Sequence, residues 1–398
     1  MKRRELLIPA VAAVLSLAVA APAPAAPAGP AHAAAPAPAA GPAPAAGTVL
    51  PRPTGALAVG TTIDHLVDPG RRDPWATDDR RRELMIQTWY PARRGDHHRT
   101  APYLSPAAAQ ALETALGARA GSFSAVRTHA RLGATPLPDR RRWPVVLFSP
   151  GRGGNRTNLT TVAEDLASHG FVVVGVDHTY DSLAVEFPGG RIAVGNRPAV
   201  PDDRIATEEV GVRATDLRFV LDEVLAGRAA RTLKGKLDPR RVGVFGHSLG
   251  GATAAETLRT DHRVRAGVNL DGALYTGAPT LGLDRPFLLY TRPDQHESWA
   301  RWGAEQRAWG RHLVVAGTGH YSFTDLSVIA GAAGLREALP PEVYGQLFGT
   351  IAPRRIVALD RGYLRAFFRL QLGGEHTRIF DRPRDPEITI RTTVGPTS

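Results

Sequence analysis

Between residues 144 and 317 the chain repeats one pattern: a run of five to eight mostly apolar residues, too short for a helix, followed by a glycine-rich turn or an amphipathic segment. The runs are PVVLFS (144–149), FVVVGVDH (171–178), VGVFG (242–246), VRAGVNL (264–270), PFLLY (286–290) and HLVVAG (312–317). A strand apolar at nearly every position must be covered on both faces, and strands joined by helical crossovers lie parallel. TTVAEDLASHG (160–170) and residues 210–226 supply two such crossovers, stopped by Gly170 and Gly227. The expected fold class is α/β, a doubly wound, mostly parallel sheet. Ahead of it, ALAVGTTIDHLVD (56–68) and RELMIQTWYP (82–91) alternate apolar and polar residues around the turn-rich GRRDPWATDD, which predicts an N-terminal antiparallel hairpin. The spacing also predicts helices over 105–121 and 351–374, the second packing Ile356, Leu359, Tyr363 and Phe367 on the core.

The ends of the chain read differently. MKRRELLIPAVAAVLSLAVA has the basic start, apolar run and small residues of a bacterial export signal, with cleavage after Ala20 or as late as Ala33. Residues 21–46 are nearly all Ala, Pro and Gly, a spacer that cannot bury a core. A single domain is expected over 50–395, secreted and without a transmembrane segment in the mature form, because no second apolar run spans a bilayer. With no cysteine, disulfides, thiol catalysis and thiolate metal sites are excluded. The net charge of +11 is carried almost wholly by arginine, since Lys2, Lys234 and Lys236 are the only lysines. The runs 80–83 and 140–142 read as solvated surface: no nucleic-acid partner is expected, and weak contact with an anionic lipid surface is what the charge leaves open.

Gly246-His247-Ser248-Leu249-Gly250, with Gly251 after it, sits between the strand VGVFG and the helix-forming ATAAETL. G-x-S-x-G in that context places a serine on a strained strand-to-helix bend at the carboxyl rim of the sheet, where open α/β sheets concentrate their chemistry. A serine hydroxyl needs a histidine base held by an acid. Of thirteen histidines, His320 alone lies just past a late strand in a Gly-rich loop. His247 abuts the serine but faces away across the turn, His296 lies in a loop before a helix, and His312 begins a strand. Asp271 and Asp294 each follow a strand, and spacing does not choose between them. Two backbone N–H groups are candidates for an oxyanion hole: Leu249 at the helix start, and Arg152 in the loop SPGRGG (149–154). That loop is not a dinucleotide fingerprint, since Arg156 stands where the third glycine would be. Asn155 and Asn158 are expected to cap the following helix.

The ordered blocks VGTTIDHLVDPGRRDPW, RELMIQTWYPA, PVVLFSPGRGGNR, DLASHGFVVVGVDHTY, GHSLGGATAAETL, GVNLDGAL and GTGHYSFTD, spread over residues 58–325, resemble the plasma-type (isoform II) platelet-activating factor acetylhydrolase family. The resemblance implies an α/β hydrolase fold with Ser248 as nucleophile, His320 as base, Asp271 as acid and the backbone of Arg152 and Leu249 as oxyanion hole. It implies neither metal nor organic cofactor. It departs from the family at the oxyanion loop, where SHGLG is replaced by SPGRG, and it says little beyond residue 330. The expectation is a secreted serine carboxylesterase for short-chain acyl esters, of the 1-alkyl-2-acetylglycerophosphocholine esterase type. A triacylglycerol lipase or polyester hydrolase using Asp294 and an inactive hydrolase-fold binding module are the alternatives.

Overall fold

A computed structural model describes residues 47–95, 97–138, 142–198 and 202–396. The expected export signal and the whole spacer lie outside them. In chain order the strands are β1 (Ala58–Arg72), β2 (Arg81–Ala92), β3 (Thr100–Pro102), β4 (Arg127–Leu132), β5 (Trp143–Ser149), β6 (Val172–Asp177), β7 (Ala184–Glu186), β8 (Ile192–Val194), β9 (Leu237–His247), β10 (Val264–Leu270), β11 (Phe287–Thr291), β12 (Gly310–Val315) and β13 (Ile388–Val394). The helices are α1 (Pro106–Leu116), α2 (Thr160–Ser168), α3 (Asp203–Leu225), α4 (Leu249–Thr260), α5 (Ala278–Leu281), α6 (Glu297–Glu305), α7 (Leu326–Ile329), α8 (Leu335–Ala338), α9 (Pro341–Phe348) and α10 (Pro353–Gly373), with a 3-10 turn at His320–Phe323.

Eleven strands form one sheet in the order β13-β12-β11-β10-β9-β5-β6-β2-β1-β4-β3. The six apolar runs are its parallel centre, β12 through β6. The hairpin pairs Ala58 with Ala92 through Asp68 with Arg82 and joins β6 antiparallel, so it extends the sheet rather than forming a separate unit.

Alternation along each strand builds two cores at once. Val145, Leu147, Val242 and Val244 face α3 and α4, meeting Leu217, Val220, Leu221, Ala254 and Leu258. Val146, Phe148, Phe245 and Val268 face α2 and α10, meeting Val162, Leu166, Leu359, Phe367 and Phe368. Each fully buried aliphatic or aromatic side chain contributes roughly 1.5–3 kcal/mol, which makes these faces the main source of stability in a chain without disulfides. A third cluster packs α1 against α7, α8 and α9 beside the His320 turn, with Phe123, Ile329 and Phe348 buried in it. No helix among the described residues is long and apolar enough to cross a membrane.

Three expectations fail. Helix α3 begins at Asp203, seven residues before the predicted start, because the Asp202 carboxylate caps it by accepting the Ile205 N–H at 2.7 Å. Neither asparagine caps α2, whose N-cap is Leu159. Asn155 instead donates its amide to Ala184 O, and the Asn158 side chain accepts the Asn155 N–H. The run 80–83 is not simply surface: Arg82 is fully buried and donates to both Asp73 and Asp216, although Arg81 is exposed.

Candidate active site

Ser248 follows β9 as the N-cap of α4, with φ 55° and ψ −125°, a region that costs a non-glycine residue about 1–3 kcal/mol. The surrounding glycines are what this bend requires. A Cβ on Gly246 would lie 2.0 Å from Gly250 O, one on Gly250 would lie 2.0 Å from Ser149 O, and one on Gly251 would lie 1.9 Å from Asn269 Oδ1. The strand, the helix and the loop after β5 therefore meet at van der Waals limits around the serine. Ser248 is half-buried and its N–H is held by Leu270 O at 2.8 Å.

Asp271 follows β10 with φ 55°, and Asn269 clasps the turn by donating to Gly272 O at 2.7 Å and accepting Gly272 N–H at 2.8 Å. Trp299 Nε1 donates to the same carbonyl at 2.7 Å. The Asp271 carboxylate is buried: Oδ2 accepts His320 Nδ1 at 2.5 Å and Arg292 Nη1 at 2.5 Å, while Oδ1 accepts the Arg292 N–H at 3.0 Å. Burial would raise its pKa, but the bond and charge of His320 and the Arg292 guanidinium outweigh that and hold it below the ordinary carboxylate range. His320 Nδ1 also lies 3.0 Å from Arg292 Nη1; a ring that donates Nδ1–H to the carboxylate has Nε2 as its remaining acceptor.

His320 opens its 3-10 turn, which is fixed by Ser322 Oγ accepting Gly319 N–H and donating to Phe348 O at 2.7 Å. His247 donates Nε2–H to His320 O at 2.9 Å, with the two rings 4.7 Å apart. Burial and the neighbouring imidazole push His247 down to about 3, so it is neutral and acts as a buttress for the turn. Asp294, the other candidate acid, is paired with Arg292 Nε at 2.7 Å on the exposed side. His296 caps α6, and His312 is bonded to Thr291 inside the sheet.

The loop after β5 lies against the bend, a Cβ on Gly151 being 3.3 Å from Ser248 Cβ. The Arg152 side chain turns away to Glu209, which accepts Nε at 2.8 Å and Nη2 at 2.9 Å. Leu249 is the first residue of α4, so its N–H meets no carbonyl of its own helix.

A second Ser-His-Asp arrangement escaped the sequence reading. Ser149 Oγ is 2.9 Å from His178 Nε2, and His178 Nδ1 is 2.9 Å from Asp216 Oδ2. All three residues have 0% exposure, so no substrate reaches them. Asp216 is also bonded by Arg82, and burial lowers the basicity of His178. This group braces the loop after β5 from behind. No cluster of carboxylates and imidazoles among the described residues is arranged to hold a metal ion.

Comparison with known proteins places the chain. Residues 45–188 and 214–337 match the model of the family described as platelet-activating factor acetylhydrolase, isoform II. A probable 1-alkyl-2-acetylglycerophosphocholine esterase of Arthroderma benhamiae is 29% identical over 373 residues, covering 86% of this chain and 93% of that protein. Cutinase est1 of Thermobifida alba is 28% identical over 148 residues, 35% of this chain and 41% of its own. Among solved structures, a ferulic acid esterase from Streptomyces cinnamoneus is 40% identical with a TM-score of 0.79, covering 87% of this chain and 99% of that one. This chain is thus a serine hydrolase of ester bonds with the α/β hydrolase fold, and it belongs to the platelet-activating factor acetylhydrolase isoform II family.

Proposed function

We propose that Ser248, His320 and Asp271 act as a catalytic triad in an exported carboxylesterase of short-chain acyl esters, including acetylated glycerophospholipids. His320 Nε2 takes the Ser248 proton as Oγ bonds to the acyl carbon, and the carbonyl π pair moves onto oxygen. The backbone N–H groups of Arg152 and Leu249 stabilise that oxyanion. Its collapse expels the alcohol oxygen, which takes the proton from His320 and leaves an acyl-serine. Water, deprotonated by His320, then releases the acid and restores Ser248.

The observation that supports this most is the Asp271–His320 bond of 2.5 Å, made at the same carboxyl rim of parallel strands as the strained Ser248 bend. The pattern of residues 1–20 supports export, and the basic surface supports weak attraction to anionic lipid. Greater identity to the ferulic acid esterase than to the glycerophosphocholine esterase favours a second reading, in which the acyl group is a hydroxycinnamate.

Ser248→Ala is expected to abolish hydrolysis of p-nitrophenyl acetate without loss of fold, and full residual activity overturns the assignment. Comparing wild-type kcat/KM on 2-acetyl-glycerophosphocholine and on methyl ferulate separates the two substrate readings.

A further inference from the structure

The loop after β5 contains Gly151, Gly153 and Gly154, and such a chain rotates its peptide planes easily. An oxyanion donor in it needs an external hold. Arg213 on α3, fully buried, provides one: Nη1 donates to Pro150 O at 2.7 Å and Nη2 to Gly151 O at 3.3 Å. Its partner Asp181 accepts Arg213 Nε at 2.8 Å and Nη2, and also accepts the Gly153 N–H at 3.1 Å. One buried ion pair therefore grips two carbonyls and one N–H within the four residues 150–153 of the loop.

The peptide plane turns this grip into a direction. In a planar trans peptide the C=O and the following N–H point opposite ways. With Gly151 O drawn toward Arg213 and toward the Gly154 N–H at 2.9 Å, the Arg152 N–H is turned away from Arg213. Gly151 itself adjoins the Ser248 bend, since a Cβ built on it would lie 3.3 Å from Ser248 Cβ and 3.0 Å from His247 Nδ1. Burying an ion pair yields little net stability over an apolar replacement, so stability alone gives no reason for a charged pair here.

We infer that Arg213, with Asp181, is a positioning residue that holds the Gly151–Arg152 peptide with its N–H toward the reacting carbonyl. This rests on the triad reading above and goes beyond it.

The test uses the folded chain and counts active sites by fluorophosphonate labelling carried to completion. Arg213→Lys, whose ammonium reaches fewer acceptors, and Asp181→Asn are each compared with Arg311→Lys, which weakens the bonds of another buried guanidinium, to Asp381 and Val394 O, at the amino end of β12 and so at the opposite rim of the sheet. Per labelled site, kcat on p-nitrophenyl acetate is expected to fall at least about tenfold, toward the 10²–10³-fold seen when an oxyanion donor is lost, with KM within about threefold. Arg311→Lys lowers the melting temperature with kcat per site unchanged. The inference is overturned if the Arg213 and Asp181 variants also lose melting temperature but keep wild-type kcat per site. Should Arg213→Lys yield no labelled protein, Asp181→Asn decides by the same criterion. Full activity of Ser248→Ala would instead refute the triad, leaving the two failures distinguishable.

Discussion

Gly250→Ala probes the packing that holds the nucleophile bend. The new Cβ would lie 2.0 Å from Ser149 O and 2.4 Å from Pro150 O, both backbone atoms, whereas such contacts require at least 3.0 Å. Helix α4 and the loop after β5 must therefore separate by about 1 Å, between the serine on one and the Arg152 N–H on the other. Overpacking of this kind costs about 1–3 kcal/mol, a fall of several degrees in melting temperature. A displacement of 1 Å in a reacting constellation costs about 10² in rate. The control is Gly362→Ala in α10, where a Cβ meets nothing within 4 Å. That change is expected to stabilise by about 1 kcal/mol through helix propensity and leave kcat untouched. Thermal melts and kcat per labelled site measure both effects. A Gly250→Ala protein with wild-type kcat and melting temperature would refute the claim that close approach of these backbones sets the site.

Two further outcomes follow from the carboxylates. Asp271→Asn removes the acceptor that orients His320 and is expected to lower kcat by about 10⁴, while Asp294→Asn, which loses only an exposed bond to Arg292, changes it less than about threefold; the reverse ranking in steady-state assays would make Asp294 the acid. Burial pushes the Asp325 carboxyl up to about 7 from an ordinary value near 3.8, even though Thr161 donates to it. The folded chain keeps that proton where the unfolded chain loses it, so stability is greatest below about pH 4 for this group and falls as pH rises to about 7, by at most about 4 kcal/mol. Asp325→Asn should therefore gain melting temperature over wild type at pH 8 relative to pH 5, and an equal difference at both pH values would contradict it.

What the sequence made legible was whatever repeats or bends locally. Six apolar runs located the parallel centre, and the glycines around Ser248 located the bend, because both are written in consecutive residues. The rest depends on partners distant in the chain. Arg82 reads as one more surface arginine, yet its acids are Asp73 and Asp216, the second 134 residues away. Ser149, His178 and Asp216 carry no spacing that marks them as a group, and Arg292 gives no sign of sharing the Asp271 carboxylate. The start of α3 was missed because DDRIATEE offers few apolar residues to set a period, its signal being the cap at Asp202. Strand β13 pairs along β12 at the sheet edge, where alternation is polar and weak.

The most direct measurement is where a fluorophosphonate attaches. Tryptic cleavage puts Ser248 in the peptide 242–259 and Ser149, with its own histidine and aspartate neighbours, in the peptide 143–152. The mass increment is expected on 242–259 alone and to vanish in Ser248→Ala. Its appearance on 143–152, or on neither, would contradict the assignment of the nucleophile.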